Sequence, residues 1–512
     1  MKLVTKNEMN KLDADTILDY HVPSMLLMEH AAYKLFEYIQ EEHKGKRVFI
    51  LCGPGNNGGD GLALARQLVC FGAAQVKIGL MTSCDKLSED GKSYYAICEK
   101  LGIPCLKFPS EKEQIEEEII HSEVIVDSIF GTGLSRDIEG ELAELFVKIN
   151  SSKAFKLSVD IPSGIACDTG KILGQAIKAD CTLTFQMGKV GLFLYPGIDY
   201  IGELRIVDIG IPKQLVAQIP SKHYAIDQEM AKKILPVRPI RSNKGTYGKV
   251  LIIGGQVGMS GAVCLAALGA MRVGAGLVTM AVPHSLCNIV EQKVTEAMTL
   301  PLPETHGHLD EAAARIIKDR LPAFNVIGIG PGLGRSVILQ KVMEEVLAVD
   351  KITIVDADGL YALKPYLEQL KARKAPMIIT PHVGEMSYLS GESIEDILDH
   401  PVESAKAFST KYNIIVVLKL ERMIVAIPRQ DNIYINTKGH QAIAKGGAGD
   451  VLTGFITGLV AQNKQPVEAA LLGSYLHGYT VEKLVEEKGE YSVLPSDLLN
   501  HVGESFKEIG SL

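Results

Sequence analysis

The chain has 512 residues, which is too long for one ordinary hydrophobic core, so we expect two or more domains. Its composition, with 46% hydrophobic and 22% charged residues, is typical of a soluble globular protein. A net charge of -8 without any basic stripe argues against a general nucleic-acid-binding protein.

The N-terminal residues and the cysteines indicate the compartment. Residues 1–8 carry charges where a secretory signal peptide needs an apolar core, and no apolar run reaches membrane-spanning length. The nine cysteines are scattered without a Cys-x-x-Cys pair, which suits a reducing compartment and offers no zinc site. We therefore expect a cytoplasmic protein that binds neither membranes nor nucleic acid.

The first half of the chain alternates strand-like and helical patterns. A short apolar run at 47–52 is typical of a buried parallel strand, and it ends in a glycine-rich loop at 53–61. A helical pattern follows over 62–70, and further strand-like runs lie at 75–81, 124–130, 155–161, 181–186 and 204–209. This alternation predicts a Rossmann-like, doubly wound parallel sheet with helices on both faces.

Three of these strands end in polar loops that contain glycine, at 56–61, 127–137 and 160–164. The carboxyl ends of parallel strands lie on one edge of a sheet, so these loops should meet in one cleft. Asn57, Asp127 and Ser163 supply the hard oxygen ligands that alkali and alkaline-earth cations prefer. For Asp127 and Asp160 taken singly, the capping of a loop after a strand explains the residue equally well.

The second half of the chain repeats the alternation. Residues 212–241 are rich in Lys, Pro and polar residues and predict a connector with one short helix. Strand-like runs follow at 249–254, 277–282, 326–330, 352–355, 377–380 and 414–418, and a helix rich in small residues is predicted over 262–273. We therefore expect two α/β domains, with limits of 1–222 and 223–512.

The glycine-rich stretch 445–454 is the most informative part of the second half. Gly446, Gly447 and Gly449 predict a tight turn that opens a buried helix, whose first N–H groups favour a phosphate. Asp450 follows, where a carboxylate can take a proton from a hydroxyl that attacks a phosphoryl group. The motif alone supports equally well an ordinary N-cap aspartate after a flexible turn.

Two other residues of the second half also have simpler interpretations. Asp358 precedes a glycine, and a structural role is favoured because Asp-Gly pairs are common in turns. His382 follows a proline and could either hydrogen-bond within its loop or bind polar groups of a substrate.

Seven motifs carry a resemblance to a known family. Gly-Asn-Asn-Gly-Gly-Asp-Gly (55–61) and Asp-Ile-Pro-Ser-Gly (160–164) resemble the NAD(P)H-hydrate epimerase domain. Segments 243–248, 258–262, 330–334, 356–360 and 380–382 resemble the ADP-dependent NAD(P)H-hydrate dehydratase, which has a ribokinase-like fold. In this order, over nearly the whole chain, they resemble the bifunctional nicotinamide nucleotide repair proteins of bacteria. Val383 and Leu420 depart from the usual Pro and Gly, and 445–448 reads Lys-Gly-Gly-Ala instead of Thr-Gly-Gly-Thr.

The resemblance implies an isomerase and a lyase in one chain. Both domains would act on NADH or NADPH that has added water across the nicotinamide ring, which gives two epimers at the hydroxyl-bearing carbon. The first domain would interconvert the R and S epimers, and the second would dehydrate the S epimer with ADP, releasing AMP and phosphate. Phosphorylation makes hydroxide a good leaving group, in agreement with a phosphate-binding turn and Asp450 as base. The resemblance also implies K⁺ at the epimerase site, Mg²⁺ with ADP at the dehydratase site, and a homo-oligomer.

The resemblance assigns the site residues as follows. Asp160 and Asp450 would be catalytic, and K⁺ would be held by Asn57, Asp127 and Ser163. The epimerase substrate would contact Asn56, Asn57, Gly58, Gly59, Asp60, Gly131, Thr132, Gly133, Leu134, Ser135, Arg136, Asp137 and Asp160. The dehydratase substrate would contact Ala262, Gly332, His382 and Asp450. The nucleotide would contact Lys419, Leu420, Glu421, Arg422, Met423, Gly446, Gly447 and Gly449.

Two alternatives remain open at this level. The second half could be a ribokinase-type kinase for another small molecule, such as a vitamin alcohol. The first half could be a non-catalytic ligand-binding or oligomerisation module, because a fold does not by itself fix a function.

Overall fold

The computed structural model describes residues 1–72 and 75–511. Over that range the chain divides into two compact units, one formed by Lys2–His223 and the other by Met1 together with the residues from Tyr224 onwards. No helix in the described ranges has the length and apolar character needed to cross a membrane. Each unit contains a largely parallel sheet flanked by helices, so the predicted α/β class is confirmed.

The first unit contains a seven-stranded sheet in which all neighbouring strands run parallel. In spatial order its strands are Cys105–Lys107, Val76–Leu80, Val48–Cys52, Val124–Ser128, Phe155–Val159, Cys181–Phe185 and Glu203–Val207. Along Val48–Cys52, alternate side chains join two different apolar clusters, because successive residues of a strand point to opposite faces. Helices therefore cover both faces, which confirms the doubly wound arrangement.

The helices of the first unit show one difference from the sequence prediction. They are Lys6–Leu18, Ser24–Glu42, Asn56–Cys70, Glu89–Lys100, Lys112–His121, Gly140–Ser151 and Lys213–Gln218. Residues 56–61, predicted as part of a loop, form the first turns of Asn56–Cys70. A Cβ on Gly58 would lie 2.0 Å from the carbonyl oxygen of Gly53, so glycine is needed there for close packing against the strand end.

The second unit contains a parallel sheet with an antiparallel extension. The parallel strands, in spatial order, are Met298–Leu302, Leu277–Pro283, Lys249–Ile253, Val326–Ile329, Ile352–Val355, Met377–Ile379 and Ile415–Leu418. Ile424–Ala426 and Ile433–Asn436 continue the sheet as antiparallel strands. The predicted runs match the parallel strands to within one residue at most ends, but Met298–Leu302 and the antiparallel pair were not predicted. Pro301 interrupts the β pattern of the edge strand Met298–Leu302.

The connector between the two sheets is more structured than the sequence predicts. Instead of one short helix it contains the helices Lys213–Gln218 and Gln228–Lys233 and the strand His223–Ile226. The longer helices of the second unit are Ser260–Arg272, Glu311–Arg320, Val337–Ala348, Val383–Ser390, Pro401–Tyr412, Ala448–Ala461, Pro466–Lys488 and Pro495–Ser511. Shorter helices are Cys287–Lys293, Asp358–Leu363, Leu367–Leu370 and Ile394–Asp399.

Two of these helices, Ser260–Arg272 and Ala448–Ala461, pack unusually close to each other. A Cβ on Gly454 would lie 2.3 Å from the carbonyl oxygen of Ala266, and a Cβ on Gly458 would lie 2.4 Å from that of Ala270. Because backbone oxygens cannot move aside as a flexible side chain can, only glycine fits at these crossings. This contact holds the start of Ala448–Ala461, and with it Asp450, against the segment that begins Ser260–Arg272.

We predict that Gly454→Ala destabilises the second unit. The added methyl group would force the two helices apart, and overpacking of this kind costs about 1–3 kcal/mol. Gly503→Ala is the matched control, because it is also helical and a Cβ there meets nothing within 4 Å. The control should be as stable as the wild type or more stable by up to about 1 kcal/mol, since alanine has the higher helix propensity. Urea unfolding midpoints measure both, and an unchanged midpoint for Gly454→Ala would show that the crossing tolerates a Cβ.

Candidate active sites

The first unit has a cavity of about 520 Å³ where the strands Val48–Cys52, Val124–Ser128 and Phe155–Val159 end. We call this space the N-terminal cavity. Its wall includes one face of Lys6–Leu18, the first turns of Ser24–Glu42, the start of Asn56–Cys70 and the loop 129–136. Pro54, Gly55, Asp90, Asp160, Phe185, Lys189 and Ile209 complete the lining. Predicted residues on this wall are Asn56, Asn57, Asp60, Gly131, Thr132, Gly133, Leu134, Ser135, Arg136 and Asp160. The loops therefore meet in one cleft, as expected for the carboxyl edge of a parallel sheet.

Three residues predicted to contact the epimerase substrate do not lie on this wall. Gly58 packs against the backbone of Gly53, and Gly59 packs against Met28, so both serve the packing of the helix start. Asp137 follows the wall loop but lies outside the cavity lining. These three residues are neighbours of lining residues in the sequence, but they do not themselves line the cavity.

Asp160 is held in place by a network on one of its oxygens. Its Oδ1 accepts hydrogen bonds from the Thr184 hydroxyl at 3.1 Å, from the Phe185 N–H at 3.0 Å and from the Lys189 ammonium. Its backbone has a φ of 65°, a left-handed conformation that aspartate adopts more readily than most residues but that still costs free energy. The hydrogen-bond network fixes the carboxyl group at the cavity wall and helps to hold the residue in this strained conformation.

Lys189 is one of the residues of this site that the sequence interpretation missed. Its side chain is completely buried, and its ammonium group donates to Asp160, to the Thr184 hydroxyl at 3.0 Å and to the Phe185 carbonyl at 2.8 Å. A buried ammonium group needs such partners, because desolvation of an unpaired charge is very costly. The signal in the sequence was a lone lysine within the otherwise apolar run 187–194.

Two further carboxyl groups face Asp160 and Lys189. Burial raises the pKa of Asp60 well above its usual value, and the nearby charges of Asp160 and Asp13 raise it further. Burial also raises the pKa of Asp13 to about 6, against the opposing effect of Lys189. Asp60 belongs to a predicted motif, whereas Asp13 lies on the helix Lys6–Leu18 and was not predicted. Perturbed carboxyl groups that gather in a cavity mark a candidate catalytic site.

Of the three predicted cation ligands, Asn57 lines this cavity, whereas Asp127 and Ser163 lie outside its lining. The Asp127 carboxylate is completely buried and accepts hydrogen bonds from the Ser163 hydroxyl at 2.5 Å, the Ser163 N–H at 2.8 Å and the Ser158 hydroxyl at 2.9 Å. Burial raises the pKa of Asp127, and these hydrogen bonds oppose the rise. The buried Asn57 Nδ2 has no hydrogen-bond partner in the described part of the chain. Asp127 and Ser163 are therefore in direct contact, and Asn57 retains an unused buried amide group.

The second unit has a cleft of about 470 Å³, which we call the C-terminal cleft. It is lined by Gly258, Met259, Gly261, Ala262, Leu265, Gly332, Ala357, Asp358, Gly446, Gly447 and Asp450. The predicted residues Ala262, Gly332, Gly446, Gly447 and Asp450 thus come together from segments far apart in the sequence. Ala357 has a φ of 50°, so backbone strain occurs on this wall as well.

Asp450 is not the N-cap of its helix, so the capping interpretation is wrong. The helix begins at Ala448, and its N-cap is Gly447, with a φ of 102°. Burial raises the pKa of Asp450 to about 7, and the charge of Asp356 adds to this rise while Lys419 opposes it. The His477 Nε2 lies 3.1 Å from the Ala448 carbonyl oxygen, and burial lowers the pKa of His477 to about 4. A neutral histidine, which the sequence interpretation missed, therefore supports the first turn.

A buried polar network lies next to Asp450. The Asp356 carboxylate accepts hydrogen bonds from the Lys419 ammonium at 2.7 Å and from the Thr453 hydroxyl at 2.8 Å. Lys419 Nζ also lies 3.8 Å from Glu385 Oε2. Burial alone would lower the pKa of Lys419, but Asp356 and Glu385 outweigh that effect and raise it. Of these residues, Thr453 and Glu385 were not singled out from the sequence.

Several predicted residues of the dehydratase site lie outside the lining of the C-terminal cleft. His382 caps the helix Val383–Ser390, because its Nδ1 accepts the Gly384 N–H at 3.0 Å. Arg422 donates to the Thr437 carbonyl and lies 3.5 Å from the Glu482 carboxylate. Met423 packs against the hydrophobic core. Lys419, Leu420, Glu421 and Gly449 are also absent from the cleft lining, although the ammonium group of Lys419 lies next to Gly449.

Two family models match the chain. Residues 24–191 match the model described as the N-terminus of YjeF-related proteins, and residues 250–503 match the model described as NAD(P)H-hydrate dehydratase. These ranges fall in the first and second unit respectively.

Curated relatives extend the similarity to the whole chain. A bifunctional NAD(P)H-hydrate repair enzyme of Moorella thermoacetica is 37% identical over 98% of this chain and 96% of its own length. One of Dictyoglomus turgidum is 36% identical over 99% of both chains. A solved ADP/ATP-dependent NAD(P)H-hydrate dehydratase from Bacillus subtilis, co-crystallised with ATP and Mg²⁺, is 31% identical and covers 55% of this chain and 98% of its own, with a TM-score of 0.49. The similarity over the full length confirms the resemblance seen in the motifs, and the chain belongs to the family of bifunctional NAD(P)H-hydrate repair enzymes.

Proposed function

We propose that the first unit interconverts the R and S epimers of hydrated NADH and NADPH, and that the second dehydrates the S epimer at the expense of ADP. Asp160 and Asp450 are the catalytic carboxyl groups of the two reactions. The observation that carries this proposal is the position of Asp450, a carboxyl group of raised pKa at a glycine-lined helix N-terminus. Family membership supports both activities.

In the second unit, the start of Ala448–Ala461 provides the phosphate-binding element. Its first N–H groups have no partner within the helix and carry the positive end of the helix dipole. Gly446 and Gly447 leave room for the terminal phosphoryl group of ADP to approach that backbone. Asp450 takes the proton from the substrate hydroxyl as the phosphoryl group is transferred, which converts hydroxide into a phosphate leaving group.

The nucleotide approaches the same helix start. We propose that the segment Lys419–Met423 contributes to its binding through backbone groups, because the Lys419 ammonium is already bonded to Asp356. That ammonium also supplies positive charge close to Gly449. Mg²⁺ would enter with ADP and neutralise its phosphate charge, and the Asp358 carboxylate on the cleft wall is a hard oxygen ligand of the kind Mg²⁺ prefers.

In the first unit, Asp160 serves as the acid/base group on the hydroxyl-bearing carbon. Its Oδ1 is saturated by the three donors described above, and no hydrogen bond to its Oδ2 occurs among the described residues. Oδ2 is therefore available to exchange a proton with a bound hydrate or with water.

We propose that K⁺ is held by Asn57, Asp127 and Ser163. The donor set fits a hard monovalent cation, since it consists of one carboxylate, one hydroxyl and one amide oxygen. The unpartnered Asn57 Nδ2 supports this proposal, because rotating the amide by half a turn would place its oxygen in that buried position. K⁺ would supply positive charge for the binding of the substrate phosphates.

The domain limits 1–222 and 223–512 are also proposed. The division between Lys2–His223 and the residues from Tyr224 onwards supports them. A cytoplasmic location and a homo-oligomeric assembly stay predictions from the sequence and its resemblance.

We predict that Asp160→Asn abolishes epimer exchange and leaves dehydration of the S epimer intact. Asparagine keeps the size of the side chain but cannot accept and return a proton. Exchange is measured by NMR on an enriched epimer without ADP, and dehydration by the reduced-nicotinamide absorbance after ADP is added. Retained dehydration in the same molecule controls for folding, and a wild-type exchange rate would remove Asp160 from the mechanism.

We predict that Asp450→Asn lowers the dehydration rate by about a hundred- to ten-thousand-fold, which is the usual contribution of a general base. ADP affinity should be unchanged or higher, because the substitution removes a negative charge next to phosphate. Asp319→Asn is the matched control, since Asp319 is exposed on the helix Glu311–Arg320. Near-normal turnover of Asp450→Asn would contradict the assignment.

We predict a pH dependence of dehydration set by Asp450. A base must be ionised, so kcat/KM should fall tenfold per unit as the pH decreases below the Asp450 pKa of about 7 and should level off above it. The charged groups around it are Asp356, Lys419, Asp358 and Glu385. Initial rates with ADP between pH 5 and 9 measure the profile, and a flat profile across pH 7 would exclude Asp450 as the titrating base.

A further inference from the structure

The N-terminal cavity has one wall that the family motifs do not describe. The helix Lys6–Leu18 lines it with Met9, Asn10, Asp13 and Ile17, which share one helix face. This helix lies outside residues 24–191, the range that matches the family model of the first unit. Asp13 is the one ionisable side chain that the helix contributes to the lining.

The charges around Asp13 come from separate elements of the first unit. Lys189, Asp160 and Asp60 are its electrostatic neighbours, and Asp90 and Arg136 lie elsewhere on the same cavity wall. Three carboxyl groups thus lie within electrostatic range of one buried ammonium group, which donates a hydrogen bond to Asp160. Carboxylates this close repel one another, so the cluster favours keeping a proton. In agreement, burial raises the pKa of Asp13 to about 6, close to the value at which a group both gives and takes protons efficiently.

We infer that Asp13 is a second catalytic acid/base group of the epimerase, acting on the face of the nicotinamide ring opposite to the face that Asp160 serves. This inference rests on the proposed epimerase function of the first unit. Asp13 reaches the cavity from the helix Lys6–Leu18, whereas Asp160 reaches it from the carboxyl edge of the sheet. Inversion at the hydroxyl-bearing carbon needs one acid/base group on each face of the ring, because the hydroxyl departs from one face and returns on the other.

The chemistry balances with these two groups and water. Water that adds to the ring alkene places its oxygen on the carbon next to nitrogen, because the nitrogen lone pair stabilises positive charge there. Protonated Asp13 donates its proton to that hydroxyl, the C–O bond breaks with its electron pair leaving on water, and the nitrogen lone pair forms a C=N bond. Water then attacks the opposite face, the C=N pair returns to nitrogen, and the Asp160 carboxylate takes the proton. Proton exchange with solvent then restores protonated Asp13 and the Asp160 carboxylate, and the reverse reaction uses Asp160 as the acid and Asp13 as the base.

The test uses the full chain without ADP, so that dehydration does not consume the hydrates. NMR follows the exchange of an enriched epimer by the wild type, Asp13→Asn, Asp13→Glu and Asp15→Asn, with the uncatalysed rate subtracted at each pH. Asp15→Asn is the matched control, because Asp15 lies on the same helix, 3.6 Å from Lys11 and away from the cavity. Thermal unfolding and dehydration with ADP are recorded for each variant.

Asp13→Asn should lower kcat/KM for exchange by about a hundred- to ten-thousand-fold. Exchange in either direction requires the carboxyl pair to hold one proton, so the wild-type rate should fall as the pH rises through about 6, the pKa of Asp13. The Asp13→Asn rate should not show this decrease with rising pH, whereas the Asp13→Glu rate should still show it. Asp15→Asn should match the wild type, and all variants should dehydrate the S epimer normally.

Exchange by Asp13→Asn within a few fold of the wild-type rate would overturn the inference. A slow Asp13→Asn variant whose exchange rate still falls as the pH rises through about 6 would also overturn the inference. That result would show that Asp13 has a structural role alone. Failure of the proposed function gives a different result: the wild type would then not exceed the uncatalysed rate, or Asp160→Asn would exchange normally.

Discussion

A buried bond between a lysine ammonium and an aspartate carboxylate underlies each candidate site. Lys189 holds Asp160 in the first unit, and Lys419 holds Asp356 beside Asp450 in the second. In each case more carboxyl groups surround the lysine than it can neutralise, so burial and repulsion together raise the pKa of Asp13, Asp60 and Asp450. Removing either lysine would leave buried carboxylates without an opposite charge, and breaking a buried ion pair in this way typically costs about 3–5 kcal/mol.

In this arrangement the oxygen atoms that hold the lysine charge differ from the atoms that are proposed to move protons. The paired aspartate oxygens are occupied by fixed donors, as the three hydrogen bonds to Asp160 Oδ1 show. The carboxyl groups of raised pKa face open space on the cavity walls. When the environments of two carboxyl groups differ in this way, one can act as an acid while the other acts as a base at the same pH. The same physical design thus serves epimer exchange in one sheet and phosphoryl transfer in the other.

Glycine at the strand ends makes both sites possible. In the first unit Gly58 lets a helix start against the backbone of Gly53, and in the second Gly330, with a φ of 130°, lies where a Cβ would be 1.7 Å from the carbonyl oxygen of Asp356. The strained backbone of Ala357 directly follows Asp356, and that of Asp160 lies on the wall of the N-terminal cavity. Tight packing therefore holds unfavourable local conformations in place, and it does so where ligands are proposed to bind.

The sequence by itself determined the fold class, most of the parallel strands and the family, because buried strands, glycine turns and motif order are local patterns. It also singled out Asp160 and Asp450 as candidates, since each lies within a motif. Only the tertiary structure decided which distant residues meet them. Asp13 lies on a mostly polar helix in which Met9, Leu12 and Thr16 are the buried residues, and Lys189 lies in a short apolar run, so neither local pattern indicates a site. The Asp450 motif likewise left a helix cap as an equal alternative, and the structure excluded that cap because Gly447 occupies the position. Burial and electrostatic environment arise when separate segments pack together, so no spacing within one segment encodes them.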